Sequence, residues 1–204
     1  MPSPDFALEA ALLARGFSLV AGIDEAGRGP LAGPVAAAAV ILDPAHIPSG
    51  LDDSKKLSTR ARVQMFDLIL AQAIAVGIAF VPHDVIDRIN IRAASLLAMQ
   101  RACASLAIAP GFALVDGRDI PPGLPCPARA IIGGDAACAS VAAASIIAKV
   151  ARDRLMQRLD GLAPDWGFGQ HMGYATKAHR DAILRHGASP FHRLSFAPLR
   201  RDKP

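Results

Sequence analysis

The chain has 204 residues, of which 52% are hydrophobic and 20% charged, a composition that excludes an intrinsically disordered chain. At this length we expect a single domain that covers residues 1–204 and needs neither a disulfide nor a structural metal to fold. The net charge of +4 permits a polyanionic partner without requiring one.

Hydrophobic periodicity divides the chain into alternating strands and helices. In the first half we predict a helix over 5–15, strands over 18–23 and 34–42, a polar loop over 43–57, a helix over 58–71 and a strand over 73–81. In the second half we predict a helix over 90–107, short strands over 113–115 and 130–132, a long helix over 138–159, a loop over 161–173 and a last helix over 176–186. This order indicates an α/β fold whose sheet has an antiparallel portion.

Other features predict a cytoplasmic protein without a membrane partner. Residues 1–17 carry acidic groups before any apolar run is complete, which excludes a secretory signal. The apolar stretches over 34–42 and 136–148 are too short, or too interrupted by Ser, to span a bilayer. The three cysteines have no zinc-type spacing, and their odd number argues against a disulfide framework. We therefore expect a reducing compartment.

Acidic residues stand at the ends of three predicted strands. Asp24 and Glu25 follow the first strand, Asp116 follows the fourth and Asp135 follows the fifth. Strand ends of an α/β sheet converge on one crevice, where four carboxylates would repel one another. A divalent cation removes that repulsion, and hard oxygen ligands suit Mg²⁺ or Mn²⁺. Two such ions can assist an in-line phosphoryl displacement.

Each acid also has a simpler interpretation. Asp24 and Glu25 fit a solvated turn, Asp116 precedes a glycine as in many turns, and Asp135 fits a helix N-cap. Asp153, between two arginines on the predicted long helix, is interpreted as an ion-pair partner. No single one of these positions decides between a site and a structural role.

The polar residues outside the acidic group likewise allow two interpretations. Ser54, Lys55 and Lys56 either hold phosphates or form a solvated loop. Ser145 and Lys149, four residues apart on the long helix, either meet one phosphate or belong to a face of small residues packed on the sheet. Three further histidines lack metal-ligand spacing and are interpreted as structural or surface groups: His179, His186 and His192.

Several blocks of sequence occur together in one order. Residues 22–35 read Gly-Ile-Asp-Glu-Ala-Gly-Arg-Gly-Pro-Leu-Ala-Gly-Pro-Val, and residues 53–57 read Asp-Ser-Lys-Lys-Leu. Further blocks lie over 114–117, 134–135, 143–153, 169–174, 176–179 and 190–196. Together they resemble bacterial ribonuclease HII, the type 2 ribonuclease H family, over about residues 17–198.

The resemblance implies a ribonuclease H-like fold, with a central mixed five-stranded sheet flanked by helices and a helical C-terminal part over about 161–198. It implies that Asp24, Glu25, Asp116 and Asp135 are the catalytic metal ligands for Mn²⁺ or Mg²⁺, with two ions present during catalysis. The substrate would be an RNA–DNA hybrid or duplex DNA with embedded ribonucleotides. Cleavage would fall 5′ of a ribonucleotide and leave a 3′-hydroxyl and a 5′-phosphate.

The resemblance also assigns roles in recognition. The loop Gly27-Arg28-Gly29 would sense the ribonucleotide 2′-hydroxyl, because glycines let backbone groups approach a ligand closely. Tyr174 would stack on the sugar beyond the ribonucleotide. One departure is Gly133, where many relatives have Lys, which leaves a local charge contact near Asp135 in question.

No clamp-binding motif is evident over 198–204, where three basic residues fit a solvated tail: Arg200, Arg201 and Lys203. We expect a monomer. Two rival hypotheses are a nuclease or integrase of the same fold with another substrate, and a non-catalytic nucleic-acid-binding module. The Gly-Arg-Gly block argues against the first. Four acids at strand ends argue against the second, since they would repel phosphates without a metal.

Overall fold

The computed structural model describes residues 3–200, so Arg201 and Lys203 of the predicted basic tail lie outside the described residues. Its centre is a five-stranded mixed sheet in the order β3-β2-β1-β4-β5. The strands are β1 Val20–Ala26, β2 Val35–Ile41, β3 Ala75–Val81, β4 Phe112–Asp116 and β5 Ala128–Ile131. β1, β2 and β3 pair antiparallel, whereas β4 pairs parallel to both β1 and β5. The predicted mixed sheet with flanking helices is confirmed.

Helices cover both faces of this sheet. They are α1 Ala7–Ala14, α2 Thr59–Gln72, α3 His83–Ile89, α4 Ile91–Ala104, α5 Gly134–Ala137, α6 Ala139–Leu162, α7 Phe168–His171 and α8 Lys177–His186. One apolar layer joins β2 to α2 and α6, and a second joins the opposite sheet face to α3 and α4. No helix within residues 3–200 combines the length and apolar character that crossing a membrane requires.

The sequence prediction differs from the structure at three connections. It missed α3, which has only seven residues and is separated from α4 by Asn90, a helix cap with φ of 69°. The predicted loop over 161–173 contains the end of α6, a 3₁₀ turn over Pro164–Trp166 and α7. β5 lies two residues earlier than predicted at its start and ends at Ile131, because Gly133 turns the chain with φ of 68°.

β1 packs unusually close to α6, and this contact fixes the direction in which its side chains point. Successive residues of a strand face opposite sides, so Ile23 enters the layer below α4 while Gly22 and Asp24 face α6. A Cβ atom on Gly22 would lie 2.1 Å from the carbonyl carbon of Ser140, which leaves no room for any side chain. The absence of a side chain at position 22 therefore brings Asp24 against the small residues of α6.

We predict that Gly22→Ala lowers the free energy of unfolding by about 1–3 kcal/mol or more, because the added methyl overlaps the backbone of α6. Gly161→Ala is the matched control, since a Cβ atom there meets nothing within 4 Å and Ala favours helix by up to ~1 kcal/mol. Urea denaturation of both variants measures the difference. Equal stability of the two variants would contradict the close packing of β1 on α6.

Candidate active site

Three carboxylates meet at the carboxyl ends of β1 and β4. These strands are parallel neighbours in which Ile23 pairs with Val115, so the next residues, Asp24 and Asp116, lie side by side. Glu25 follows on β1. Each of the three acids offers an oxygen, and these oxygens all lie within 4.8 Å of one another. We call Asp24, Glu25 and Asp116 the acidic triad.

Burial and mutual repulsion set the electrostatics of the acidic triad. Burial, together with the charges of Glu25 and Asp116, raises the pKa of Asp24 well above its usual 3.8. Burial also raises the pKa of Asp116, although the Gly134 N–H donates to its Oδ1 at 2.8 Å and opposes the rise. The Oε2 atom of Glu25 is buried without a hydrogen-bond partner. Clustered oxygen ligands with an unsatisfied buried oxygen fit a divalent cation such as Mg²⁺ or Mn²⁺.

Asp135 lies outside the acidic triad. It sits on the short helix α5, where its side chain is largely buried and faces Lys55. The Nζ atom of Lys55 is 3.6 Å from Asp135 Oδ2. Burial, then the charges of Asp53 and Asp116, raises the pKa of Asp135. The structure thus brings three of the four predicted ligands into contact and places the fourth beside them, against a lysine.

A cavity of about 250 Å³ opens onto the acidic triad. Eight of the nine predicted substrate-binding residues line it: Gly27, Arg28, Gly29, Ser54, Lys55, Ser145, Lys149 and Tyr174. The ninth, Lys56, is outside the lining and donates to Asp52 at 2.9 Å instead. The two neighbouring lysines therefore differ, since only Lys55 faces the cavity.

Two serines connect the acidic triad to the loop before α2. The hydroxyls of Ser54 and Ser145 lie 2.9 Å apart, and Ser145 also faces the carboxylate of Asp24, where it opposes the rise in the pKa of that group. Lys149, one helical turn further along α6, donates to both oxygens of Asp153 at 2.6 and 2.7 Å. Asp153 is thus an ion-pair partner, as the sequence indicates.

Two buried arginines pack against the Gly27-Arg28-Gly29 loop. The sequence analysis identified neither of them. Arg193 donates to the carbonyl oxygens of Gly27 at 2.7 Å and Arg28 at 2.9 Å, and its burial lowers its pKa to about 9. Arg152 lies so close that a Cβ atom on Gly27, whose φ is 94°, would be 2.0 Å from its Nε. Only glycine fits at that position.

A sequence signal for Arg152 exists in retrospect. Ser145, Lys149 and Arg152 follow one another at spacings of four and three residues, which places them on one face of α6. Because Ser145 and Lys149 are predicted substrate-binding residues, the same spacing indicates that Arg152 also faces the site. Arg193 has no comparable signal, since nothing in its local sequence predicts burial of its charge.

Tyr174 lies next to the Gly27-Arg28-Gly29 loop in the lining of the cavity. Its side chain is 41% exposed, and a Cβ atom on Gly29 would lie 4.0 Å from its ring. The charged ends of Lys149 and Arg152 each lie 5.9 Å from the centre of the same ring. The cavity therefore has carboxylates at its base, with basic groups, a glycine loop and an aromatic ring around them.

Comparison with known proteins assigns the family. The family model described as Ribonuclease HII matches residues 21–199. The chain is 56% identical over 200 residues to a Ribonuclease HII of Rhizobium johnstonii, covering 98% of this chain and 87% of that protein. It is 54% identical over 198 residues to a Ribonuclease HII of Chelativorans sp. strain BNC1, covering 97% of this chain and 78% of that protein. The chain belongs to the ribonuclease HII family.

A solved relative agrees with this assignment. The crystal structure of the ribonuclease H2 from Pyrococcus horikoshii superposes with a TM-score of 0.75 at 28% identity, covering 89% of this chain and 95% of that one. As a member of the ribonuclease HII family, the protein is a metal-dependent ribonuclease H, an endonuclease for RNA–DNA hybrids.

We predict that Asp116→Asn reduces hybrid cleavage in Mg²⁺ by more than the ~10–100-fold typical of residues that only support a ligand, because it removes one charge of the acidic triad. Without added ions the variant should be at least as stable as wild type, since one repulsive charge is gone. Cleavage rates and melting temperatures with and without Mg²⁺ measure both effects. Asp119→Asn, which alters an exposed acid paired with Arg92, is the control. Near-normal turnover of Asp116→Asn would contradict the assignment.

Proposed function

We propose that this ribonuclease HII cleaves 5′ of single ribonucleotides embedded in duplex DNA as well as the RNA strand of hybrids. It would leave a 3′-hydroxyl and a 5′-phosphate. The observation that carries the proposal is the acidic triad, with its oxygens within 4.8 Å, at the base of a cavity bordered by the Gly27-Arg28-Gly29 loop and Tyr174. A phosphodiester at the base would place its neighbouring sugars against the loop and the ring.

The acidic triad would hold divalent ions, with Asp135 as the fourth ligand from its position beside Lys55. When bound, two Mg²⁺ or Mn²⁺ ions supply the Lewis acidity for attack of water on phosphorus and departure of the 3′ oxygen. A P–O bond would form to the water oxygen, which loses a proton to solvent, while the P–O3′ bond breaks and the leaving 3′ oxygen takes a proton from solvent. Asp24 is the central ligand, because its carboxylate is the most buried of the three and is oriented by Ser145 and the N–H of Glu25.

The basic side chains around the acidic triad would bind the flanking phosphates. Arg28 donates to Glu25 at 3.0 Å and, with its side chain half exposed, keeps donors available to the substrate. Lys55 lies on the other side, next to Asp135. Burial alone would lower its pKa, but the carboxylates of Asp53, Asp135, Asp24 and Asp116 together raise it, so it stays cationic. These two cations therefore flank the place where the scissile phosphate would lie.

Recognition of the ribonucleotide would come from the two walls of the cavity. Backbone groups of the Gly27-Arg28-Gly29 loop can approach a 2′-hydroxyl closely, since neither glycine has a side chain. The ring of Tyr174 would stack on the following sugar and favour a deoxyribonucleotide there, because a 2′-hydroxyl would crowd the ring. The pair would thus read a junction from RNA to DNA.

The test is cleavage of a duplex that contains one ribonucleotide, with and without Mg²⁺ or Mn²⁺, compared with an all-RNA hybrid. We predict metal-dependent cleavage 5′ of the ribonucleotide, and a loss of roughly 5- to 150-fold in Tyr174→Ala from missing stacking of about 1–3 kcal/mol. The loss should be smaller on the all-RNA hybrid. Equal losses on both substrates, or a large drop in melting temperature, would make Tyr174 a packing residue.

A second prediction separates the two neighbouring lysines. Log affinity for duplex should fall linearly with log salt concentration, and Lys55→Ala should reduce the slope by about 0.9, the equivalent of one phosphate contact. Lys56→Ala should leave the slope unchanged, because Lys56 is paired with Asp52 outside the cavity. Binding titrations over a range of salt concentrations, in Ca²⁺ to prevent turnover, measure the slopes. Equal effects of the two substitutions would contradict a phosphate contact specific to Lys55.

A further inference from the structure

Tyr174 is carried by a turn whose backbone is held at every residue. Met172 and Gly173 have positive φ angles of 52° and 80°, and a Cβ atom on Gly173 would lie 2.6 Å from the carbonyl oxygen of Ala32. Arg152 donates to the Met172 carbonyl at 2.9 Å, and Leu31 N–H donates to the Gly173 carbonyl at 2.8 Å. The remaining carbonyl, that of Tyr174 itself, accepts the N–H of Thr176 at 2.8 Å and also faces a histidine.

That histidine belongs to a buried hydrogen-bonded pair. His179 Nδ1 lies 2.9 Å from the Tyr174 carbonyl oxygen, and its Nε2 lies 3.0 Å from the Nε2 of His192. Both side chains are at most 1% exposed. His192 Nδ1 in turn accepts the backbone N–H of Ser189 at 2.9 Å, and the Ser189 hydroxyl lies 2.7 Å from the same nitrogen. The connection therefore runs from Ser189 through two imidazoles to the backbone of Tyr174.

Backbone groups at the two ends fix the direction of every hydrogen bond in the series from Ser189 to Tyr174. An N–H from Ser189 can only donate, so His192 Nδ1 is an acceptor and its Nε2 carries the proton. His192 Nε2–H then donates to His179 Nε2, which leaves the proton of His179 on Nδ1, where it donates to the Tyr174 carbonyl. Opposite tautomers on the two rings are the one arrangement that satisfies all four nitrogens.

The surroundings keep both rings neutral and in place. Burial, and then the charge of His179, lowers the pKa of His192 to about 4, and burial lowers that of His179 below 6.5. The ring of His171 stacks on His179 with centroids 4.2 Å apart and planes at 18°. His171 also accepts the N–H of Gly173 at 3.2 Å, so a third imidazole supports the same turn.

We propose that His179 and His192 are positioning residues that hold Tyr174 against the Gly27-Arg28-Gly29 loop through this directional chain. The His192 segment also reaches that loop, since the neighbouring Arg193 donates to the carbonyls of Gly27 and Arg28. One segment thus fixes both walls of the cavity. This inference rests on the proposed role of Tyr174 in reading the junction.

The first experiment needs no activity. Tyr174 is the single tyrosine of the chain, so with tyrosine-specific ¹³C labelling every labelled ring resonance belongs to this residue. We expect ¹⁵N spectra at pH 7.5 to show the Nε2–H tautomer for His192 and the Nδ1–H tautomer for His179. The Tyr174 ring signal should move in His179→Gln and stay near its wild-type position in His186→Gln, an exposed residue on the same helix. The same tautomer on both rings, or an unmoved Tyr174 signal in His179→Gln, would overturn the proposal.

The second experiment compares two amides at position 179. Asn places its NH₂ near the Nδ1 position and keeps the donor to Tyr174, whereas Gln places it near Nε2 and loses that donor. We expect His179→Gln to lower the preference for the single-ribonucleotide duplex over the all-RNA hybrid by about 2- to 13-fold, the range for one lost hydrogen bond, and His179→Asn to restore most of it.

A double-mutant cycle with Tyr174→Ala separates positioning from general stability. If His179 acts through Tyr174, His179→Gln should have no further effect on the preference in the Tyr174→Ala background. Additive losses, or equal losses in the Asn and Gln variants, would overturn the inference. A wild-type preference in Tyr174→Ala would instead refute the proposed junction recognition, while the NMR spectra would still decide whether the two histidines fix the ring.

Discussion

Repulsion among the carboxylates of Asp24, Glu25 and Asp116 sets the chemistry of the candidate active site. The fold creates it by placing the ends of two parallel strands side by side. Gly22 strengthens this repulsion, because its missing side chain lets β1 approach α6 closely enough to bury Asp24. A buried cluster of negative charge is stable only if it is compensated. Ser145, the Gly134 N–H and Lys55 compensate in part, and the unpaired Oε2 of Glu25 leaves the remainder for a cation.

Two buried arginines near this cluster fix the backbone around the cavity. Arg152 and Arg193 do not neutralise the acidic triad; their guanidinium groups donate to backbone carbonyls, among them those of Gly27, Arg28 and Met172. A guanidinium has five donors in a rigid plane, so each arginine fixes several carbonyls at once. The Gly27-Arg28-Gly29 loop and the turn that carries Tyr174 are therefore linked through the same two guanidinium groups.

Periodicity predicted most of the strands and a sheet with an antiparallel portion, and the position of the acids at strand ends made them candidates, because these features follow from local patterns. The choice of these acids as metal ligands rested on the resemblance to the ribonuclease HII family. The position of Asp135 could not be predicted, since it depends on how the Gly133–Gly134 turn starts α5. The sequence also could not show that Lys55 faces the cavity and Lys56 does not, because this depends on the direction in which each side chain points. Arg193 is buried through contacts with residues about 165 positions away, which no local pattern encodes.

We propose that the acidic triad is the metal site of this member of the ribonuclease HII family. The most direct measurement is a crystal soaked in Mn²⁺ with anomalous diffraction recorded at the manganese edge. We expect anomalous peaks within about 2.0–2.3 Å of carboxylate oxygens of Asp24, Glu25 and Asp116, and a weaker or absent peak in crystals of Asp116→Asn. A strong peak elsewhere with none at the acidic triad would contradict it.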